Sequence, residues 1–266
     1  DGTRVSLTDY GYGYGRALAD GIVRPVVFMV YAGKMRWQTS TGEEMEARLG
    51  EGNTKDITSQ AWRTALDPAG DWIAKVLRAA NRRLSEVREH IPDAGGLVIA
   101  TDHASARAYA SQLSEITGES VALILSDDST ASDQIESFSA GTSRWMVAVR
   151  MVSEGVDVPR LAVGVYATSS STPLFFAQAI GRFVRSRRRG EVATVFIPNV
   201  PALMQLAQEL EKERDHVLEM PGSAEDMWDA EAALLVEANR EDRASEEMEG
   251  EGFVYQALGS DAHFDR

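Results

Sequence analysis

Five arginines lie within eight residues in the second half of the chain. They are Arg182, Arg185, Arg187, Arg188 and Arg189. A guanidinium group is planar and permanently cationic, so a cluster of this density is suited to contacts with phosphate oxygens. Gly181 comes directly before the cluster, and a residue without a side chain allows another backbone or a phosphate group to approach closely.

A helix is predicted to carry the first two of these arginines. Residues 173–186 have helical patterning, and Thr172-Pro173 supplies a cap followed by a proline in the first turn. At about 100° per residue, Gln178, Arg182 and Arg185 share one sector of the helix and should project outward. The opposite, apolar sector should face the sheet and contains Phe176, Ile180 and Phe183. A surface helix with solvated arginines is the alternative that this spacing leaves open.

A second polar cluster follows a predicted strand that ends at Val149. Residues 150–157 read Arg-Met-Val-Ser-Glu-Gly-Val-Asp, and doubly wound sheets bind ligands beyond the carboxyl ends of their strands. Ser153 and the backbone around Gly155 could donate to phosphate oxygens, and Asp157 could accept from a ribose hydroxyl. Considered in isolation, the segment is equally well explained as a plain turn between a strand and a helix.

Short apolar runs predict the strands that position both clusters. The runs are 97–100, 121–125, 145–149, 162–166 and 192–197. They are rich in β-branched residues and apolar nearly throughout, as expected of strands buried on both faces of a parallel sheet. Helical patterning alternates with them at 103–117, 130–140, 173–186 and 200–218. The fold class is therefore predicted as α/β, a doubly wound parallel sheet with helices on both faces.

The remaining segments have a different composition. Residues 26–39 predict a hairpin around Ala32-Gly33-Lys34, and residues 42–90 are largely helical, with Asp67-Pro68 opening the last helix. A short strand-like run is present at 252–256. We predict a connector of hairpin and helices at 1–92, the α/β domain at 93–200 and an acidic helical extension at 201–266. Both ends of the sequence look cut, so we expect a fragment of a larger protein.

The net charge of −14 ordinarily argues against nucleic acid as a partner, because phosphate binding needs clustered Lys and Arg. The acidity is concentrated, however: residues 209–251 contain 16 acidic and 4 basic side chains. The rest of the chain is nearly neutral, and its charge is better described by local patches than by the total. The acidic segment is interpreted as a solvated helical face or, alternatively, as an autoinhibitory segment that competes with DNA for the arginine-rich surface.

Several kinds of chemistry are excluded by residues that the sequence lacks. The absence of cysteine excludes a disulfide scaffold, a thiolate zinc site and a cysteine nucleophile. The histidines show no metal-ligand spacing, and neither a G-x-x-x-x-G-K-[ST] phosphate loop nor an Asp-Glu dipeptide occurs. No run of about 18 apolar residues is present, so we expect no membrane span and a cytoplasmic protein.

Together, the two polar clusters resemble motifs V and VI of superfamily 2 helicases, with residues 178–185 matching Q-x-x-G-R-x-x-R. Residues 96–103, Gly-Leu-Val-Ile-Ala-Thr-Asp-His, are similar to motif IV. The stretch 97–198 thus resembles the second RecA-like domain of a bacterial DEAD/DEAH-box helicase of the Rad25-like and restriction-motor branch. A weaker resemblance links residues 14–27 to the segment that joins the two motor domains in this group.

The resemblance implies a role for each matching residue. It makes Arg185 the arginine finger, Arg182 a second γ-phosphate contact and Gln178 their neighbour, with Gly181 and Gly155 beside the nucleotide. It places Asp157 at the nucleotide ribose. The implied nucleic-acid contacts are Ser153, Glu154, Thr101 and His103. Motif V has Ser153-Glu154 where DEAD-box RNA helicases show Ala-Arg, a departure that favours DNA over RNA.

By the same resemblance, ATP and Mg²⁺ are bound mainly by a first RecA-like domain that this chain lacks. Closing the cleft between the two domains would bring the arginines onto the γ-phosphate. The chain is then expected to be the C-terminal half of an ATP-dependent DNA helicase or translocase, inactive as an ATPase alone. Two alternatives stay open: a non-catalytic binding or regulatory module with a helicase-like fold, and a restriction-type translocase of double-stranded DNA.

Overall fold

The computed structural model describes residues 13–39, 42–125, 128, 130–149, 158–188 and 190–218, together with the backbone of 255–257. The strands in these ranges are β1 (Val26–Tyr31), β2 (Lys34–Gln38), β3 (Glu44–Arg48), β4 (Gly95–Ala100), β5 (Ala122–Ile124), β6 (Trp145–Val149), β7 (Leu161–Ala167), β8 (Ala193–Pro198) and β9 (Tyr255–Ala257). The helices are α1 (Tyr14–Ala19), α2 (Lys55–Ala65), α3 (Asp71–His90), α4 (His103–Thr117), α5 (Ala131–Ala140), α6 (Pro173–Ile180) and α7 (Pro201–Leu218).

The main sheet has the strand order β5-β6-β4-β7-β8-β1-β9. The first six strands are parallel, and β9 pairs antiparallel with β1. At its centre, Val98 of β4 is in register with Val147 of β6 and Val165 of β7. Every residue of β4, β7 and β8 is buried, which explains why these strands are apolar throughout. The predicted α/β class with a doubly wound parallel sheet is therefore confirmed.

Helices cover both faces of this sheet. On one face, α3 and α4 contact each other and the central strands β4, β6 and β7. On the other face, α6 contacts α7, and α7 contacts β1 and α1. This division follows from right-handed crossovers, because the sheet grows in opposite directions from β4 to β5 and from β7 to β8. Connections that run in opposite directions place their helices on opposite faces.

The hairpin predicted at residues 26–39 is wrong in its pairing. The two predicted strands exist as β1 and β2, but β1 pairs with β8 in the main sheet and β2 pairs with β3 in a separate two-stranded sheet. A hairpin is therefore present, with β2 and β3 as its strands. All but one residue of β1 is buried, which suits an inner parallel strand. Residues before the predicted boundary at 92 thus contribute to the same sheet.

Two predicted helix limits also need correction. Helix α3 begins at Asp71, after the N-cap residue Gly70, and not at Asp67-Pro68. The Asp67 side chain instead accepts a hydrogen bond from the Ala69 N–H at 2.9 Å, which closes a turn before the helix. The predicted helix 173–186 ends at Ile180. Its end has a tertiary cause that is described with the candidate site.

Two glycines allow large aromatic side chains to lie against the central strands. A Cβ atom on Gly164 would lie 2.5 Å from Cζ of Phe183, and one on Gly96 would lie 2.3 Å from the ring of Trp145. Both aromatic side chains are fully buried. Glycine is therefore required at these strand positions by the close approach of a ring, because any side chain would occupy the same space.

The predicted C-terminal extension begins with α7, which contacts the main domain through α1, α6 and β1. The strand-like run predicted at 252–256 is found in part as β9, which pairs with β1. Most of the acidic segment, residues 219–254, lies outside the described residues. Because β9 completes one edge of the sheet, deletion of the whole extension would also expose the edge of β1.

Candidate functional site

Helix α6 and the turn after it carry Gln178, Arg182 and Arg185. The helix begins as predicted: the Thr172 side chain accepts a hydrogen bond from the Phe175 N–H at 3.4 Å, and Pro173 lies in the first turn. After Ile180 the backbone tightens, because the N–H groups of Arg182 and Phe183 donate to carbonyls three residues earlier, at 3.2 and 2.8 Å. The turn thus places Arg182 and Arg185 beyond the end of the helix.

Beyond Phe183 the chain is held by the segment that precedes β1. The Arg24 N–H donates to the Val184 carbonyl at 2.7 Å, and Arg185 forms an isolated antiparallel bridge with Val23. These contacts replace the helical hydrogen bonds that residues 184–186 would otherwise make. The helix therefore ends early because a distant segment binds its final residues in an extended conformation.

The predicted division between an apolar and a polar side is confirmed. Phe176, Ile180 and Phe183 are buried, with at most 2% of their surface exposed. Gln178 and Arg185 are exposed, and Arg182 is half-buried. The polar residues therefore occupy the outer side of α6 and its turn, as the helical spacing predicts, although Arg185 reaches this side from extended backbone.

Gly181 lies between the glutamine and the arginines in a position that has little room for a side chain. A Cβ atom built there would come within 3.0 Å of the Ala177 carbonyl oxygen, which belongs to the preceding turn. Among the described residues, only that turn reaches within 4 Å of the position. Gln178, Arg182 and Arg185 carry an amide and two guanidinium groups, which are suitable donors to phosphate oxygens. In their donor chemistry, the residues present thus fit one side of a nucleotide phosphate chain.

The buried side chain of Arg24 holds the turn after α6 against the sheet. It is 2% exposed, and its guanidinium donates to the Phe183 carbonyl at 2.8 Å, to Glu191 Oε2 at 3.1 Å and to the Leu161 carbonyl. Glu191 is itself buried. We call Arg24 and Glu191 the buried ion pair. Because a single side chain binds residue 183 and the start of β7, the backbone beside Arg182 is tied to the sheet.

Burial lowers the pKa of Arg24 to about 10, and the carboxylate of Glu191 opposes this effect. The guanidinium therefore remains protonated at neutral pH. Buried charge is costly unless it is paired and hydrogen-bonded. Here Arg24 and Glu191 form a hydrogen-bonded ion pair with each other. Neither residue was predicted from the sequence, since Arg24 lies 159 positions from Phe183 and both residues look like isolated surface charges.

Arg187 has a structural contact that sequence spacing did not indicate. Its Nη1 donates to Asp93 Oδ2 at 2.6 Å, and its backbone N–H donates to Glu191 Oε2 at 3.1 Å. The hydrogen bond from Arg187 holds the pKa of Asp93 below its ordinary value. Arg187 therefore links the arginine-rich segment to Asp93, two residues before β4, whereas Arg188 is exposed.

The residues predicted from motif IV lie at the opposite edge of the sheet. Thr101 follows the last residue of β4, and its Oγ1 accepts a hydrogen bond from the Ser169 N–H at 3.3 Å. His103 is the first residue of α4, whose N-cap Asp102 accepts from the Ser105 N–H at 2.8 Å. Since Ser169 follows β7, this contact joins the loops after two neighbouring strands at the carboxyl edge, where open α/β sheets bind ligands.

The structure therefore divides the predicted site residues between two edges. Arg24 binds both Phe183 and Leu161, the first residue of β7, so Arg182 and Arg185 lie at the amino edge. Thr101 and His103 lie at the carboxyl edge. The segment with Ser153, Glu154, Gly155 and Asp157 connects the carboxyl end of β6 to the amino end of β7 and lies outside the described residues. The roles of all these residues stay predictions.

The described part of the chain lacks two further features. Within it, no group of three or more His, Asp or Glu side chains is arranged to hold a metal ion. Likewise, no helix in that part is sufficiently long and apolar to span a bilayer.

Comparisons with known proteins identify close relatives that are themselves longer. The chain is 56% identical over its whole length to the uncharacterized protein Rv2917 of Mycobacterium tuberculosis and 52% identical to the uncharacterized protein ML1624 of Mycobacterium leprae. It spans 43% and 44% of these two proteins, respectively. No family model matches the chain.

Several solved structures resemble part of this chain at low sequence identity. Domain 2 of the DEAD-box helicase Mss116p, bound to an RNA duplex, is 14% identical, with a TM-score of 0.42 over 65% of this chain and 74% of that one. A fragment assigned to the HsdR subunit of a type I restriction enzyme from Vibrio vulnificus is 16% identical, with a TM-score of 0.49 over 72% and 35%. UvsW of T4 is 16% identical, with a TM-score of 0.43 over 63% and 36%.

Proposed function

We propose that the chain is the second motor domain of an ATP-dependent DNA helicase or translocase. In this proposal Arg182 and Arg185 bind the γ-phosphate of an ATP molecule held mainly by a first motor domain. Thr101 and His103, with Ser153 and Glu154, contact the nucleic-acid backbone. Asp157 and Gly155 contact the nucleotide, and a first domain of the same protein and DNA are the partners.

The observation that carries the proposal is the fixed backbone beneath the arginines. Arg24 binds the Phe183 carbonyl with its side chain and the Val184 carbonyl with its N–H, at 2.8 and 2.7 Å. Catalysis by a cation requires that it be held in place before charge develops in the transition state. A surface helix with merely solvated arginines has no need of a buried ion pair under its last turn.

The chain's own residues supply only part of the chemistry. Bound ATP supplies the phosphoryl group, and the guanidinium groups of Arg182 and Arg185 stabilise the negative charge that builds on its equatorial oxygens. An arginine supplied from a second domain contributes about 10³ to 10⁵ in rate. In the same proposal, Gln178 donates an amide hydrogen bond beside them. Because the phosphate loop is absent from this sequence, the chain alone should not turn over ATP.

The first test compares variants of the protein that joins this chain to its first motor domain. Arg185→Ala should lower kcat for DNA-stimulated ATP hydrolysis by about 10³-fold or more, with little change in DNA affinity. Arg78→Ala is the matched control, because Arg78 is exposed on α3, which covers the opposite face of the sheet from α6. An Arg185→Ala variant with at least a third of the parental kcat would refute the assignment of the arginine finger.

A second test uses the 266-residue chain itself. It should bind single-stranded DNA and show no ATP hydrolysis above the buffer blank. Robust turnover by the purified chain, abolished by Arg185→Ala, would contradict the proposal that a first domain is needed. Assays of strand displacement and of triplex displacement on the joined protein then separate a helicase from a translocase of duplex DNA, and RNA substrates test the preference for DNA.

A further inference from the structure

A basic cleft lies outside the helicase-like motifs, between the β2–β3 hairpin and the start of α3. Its volume is about 550 Å³. Four cationic side chains line it, and one acidic side chain, Asp71, lies among them. The cations are Lys34, Arg36, Arg48 and Lys75. We call this feature the hairpin cleft.

The register of the hairpin places three cations, Lys34, Arg36 and Arg48, on the same face as the carboxylates of Glu44 and Glu46. Lys34 and Arg36 alternate with buried Met35, so both point to the exposed face of β2. Lys34 is directly opposite Arg48, and like charges in this arrangement destabilise a strand pair. Such a pair is unexpected for a hairpin that serves only to fold, and it is explained if the face binds an anion.

One neighbouring carboxylate partly balances this charge. Glu46 accepts from Arg36 at 2.7 Å and from Lys34 at 3.0 Å, and these hydrogen bonds lower its pKa. A single Glu46 is shared by two cations, while Arg48 and Lys75 contribute further positive charge. Even with Asp71, Glu44 and Glu46 counted, the four cations outnumber the three anions, in a chain whose net charge is −14.

The hairpin cleft lies at the same edge of the sheet as Thr101. β2 follows the carboxyl end of β1, and the Leu49 N–H donates to the Gly33 carbonyl at 3.0 Å, which ties the end of the hairpin to that edge. Trp72, in the first turn of the 20-residue helix α3, contacts Tyr31 with ring centroids 4.6 Å apart. The amino end of α3 thus adds its partial positive charge to the same place.

We propose that the hairpin cleft binds the sugar-phosphate backbone of the nucleic acid that passes Thr101. This inference rests on the proposed function and adds a site that the helicase-like motifs do not contain. β1 and β4 are three strand spacings apart in the sheet, about 14 Å at 4.8 Å each. At a rise of about 3.4 Å per nucleotide, four nucleotides cover this distance, so one strand can contact both places.

The test measures binding of a fluorescent single-stranded DNA oligonucleotide to the 266-residue chain at several salt concentrations. The double variant Arg48→Gln/Lys75→Gln should bind the DNA about tenfold more weakly at 100 mM salt. Its slope of log affinity against log salt should be smaller by about 1.4, which corresponds to two lost phosphate contacts. The matched control is Arg63→Gln/Lys212→Gln, which removes two exposed charges outside the cleft and should leave the slope unchanged.

A gain of affinity provides a second readout that loss of structure cannot produce. Asp71→Asn removes the acidic group from the cleft lining and should tighten DNA binding about threefold at low salt. The DNA affinity extrapolated to about 1 M salt, which contains no electrostatic contribution, should stay unchanged. Circular dichroism of each variant confirms that the fold is retained.

The possible outcomes separate a failure of the hairpin cleft from a failure of the proposed function. Equal losses in the cleft and control variants, or no loss in either, would overturn the cleft while DNA binding by the parental chain still supports the function. If the parental chain binds no DNA at 50 mM salt, the proposed function fails together with the cleft. If the cleft variants lose affinity for free ATP and not for DNA, the cleft is a small-anion site and the inference is wrong.

Discussion

Replacing Arg24 by methionine tests whether the buried ion pair holds the arginine-bearing turn in place. Methionine has a similar length and retains apolar contacts, but it cannot donate to Glu191 or to the Phe183 and Leu161 carbonyls. Removal of one partner from a buried pair typically costs about 3 to 5 kcal/mol, because the other charge stays buried without compensation. Arg187 remains 3.7 Å from Glu191 and compensates in part, so we expect about 3 kcal/mol.

Urea unfolding of the 266-residue chain, followed by circular dichroism, measures this loss. With a slope of about 3 kcal/mol per molar urea, the midpoint should fall by about 1 M. The double variant Arg24→Met/Glu191→Met should be less destabilised than the sum of the two single variants, since it leaves no buried charge unpaired. A remaining deficit of about 1 kcal/mol for each orphaned carbonyl should persist in the double variant.

Arg160→Met is the matched control for burial of an arginine. Arg160 is 2% exposed and donates to the carbonyls of Phe138, Asp93 and Ser143, each at 2.8 Å. Its replacement should also destabilise the chain, but its effect should add to that of Glu191→Met. If Arg24→Met costs less than about 1 kcal/mol, or if its effect adds to that of Glu191→Met within about 0.5 kcal/mol, the buried ion pair does not hold the turn.

Two further predictions concern packing and pH. Gly164→Ala places a methyl group 2.5 Å from Cζ of Phe183 and should cost about 1 to 3 kcal/mol in thermal unfolding; Phe183→Leu should recover part of this loss, and an unchanged melting temperature would contradict the packing. The pKa of Asp93 is lowered by Arg187, so this carboxylate stabilises the fold above its unfolded pKa and the contribution disappears as pH falls through its folded pKa. Asp93→Asn should therefore lower stability at pH 7 by no more than about 1 kcal/mol, because the side chain is nearly half exposed, and should have little effect near pH 2. An equal loss at both pH values would refute the ion pair.

The parallel strands could be predicted from the sequence because burial on both faces leaves a direct mark on composition. The pairing of β1 could not, although one signal was available. Residues 26–31 are apolar throughout, which is typical of an inner parallel strand, whereas residues 34–38 alternate between exposed and buried positions. This contrast argues against a common hairpin, since paired antiparallel strands of one hairpin usually share the same alternation. The turn-like Ala32-Gly33-Lys34 favoured the wrong interpretation.

The polar side of α6 was predictable because helical spacing is a local property. The end of the helix was not, because it depends on Arg24, which lies 159 positions away from Phe183 in the sequence. Helical propensity through residue 186 is worth only a few tenths of a kcal/mol per residue, and a buried, charge-assisted set of hydrogen bonds outweighs it. Local prediction therefore fails where one buried side chain organises two distant segments.

Net charge is a poor predictor of phosphate-binding surfaces, because such a surface depends on which side chains lie next to one another. The chain is acidic as a whole, yet Lys34 and Arg48 come together through strand register, and Lys75 joins them through the position of α3. Charge repulsion across a strand pair costs roughly 0.2 to 1 kcal/mol, a small loss that a stable sheet can carry. Phosphate binding at the hairpin cleft is therefore compatible with a net charge of −14.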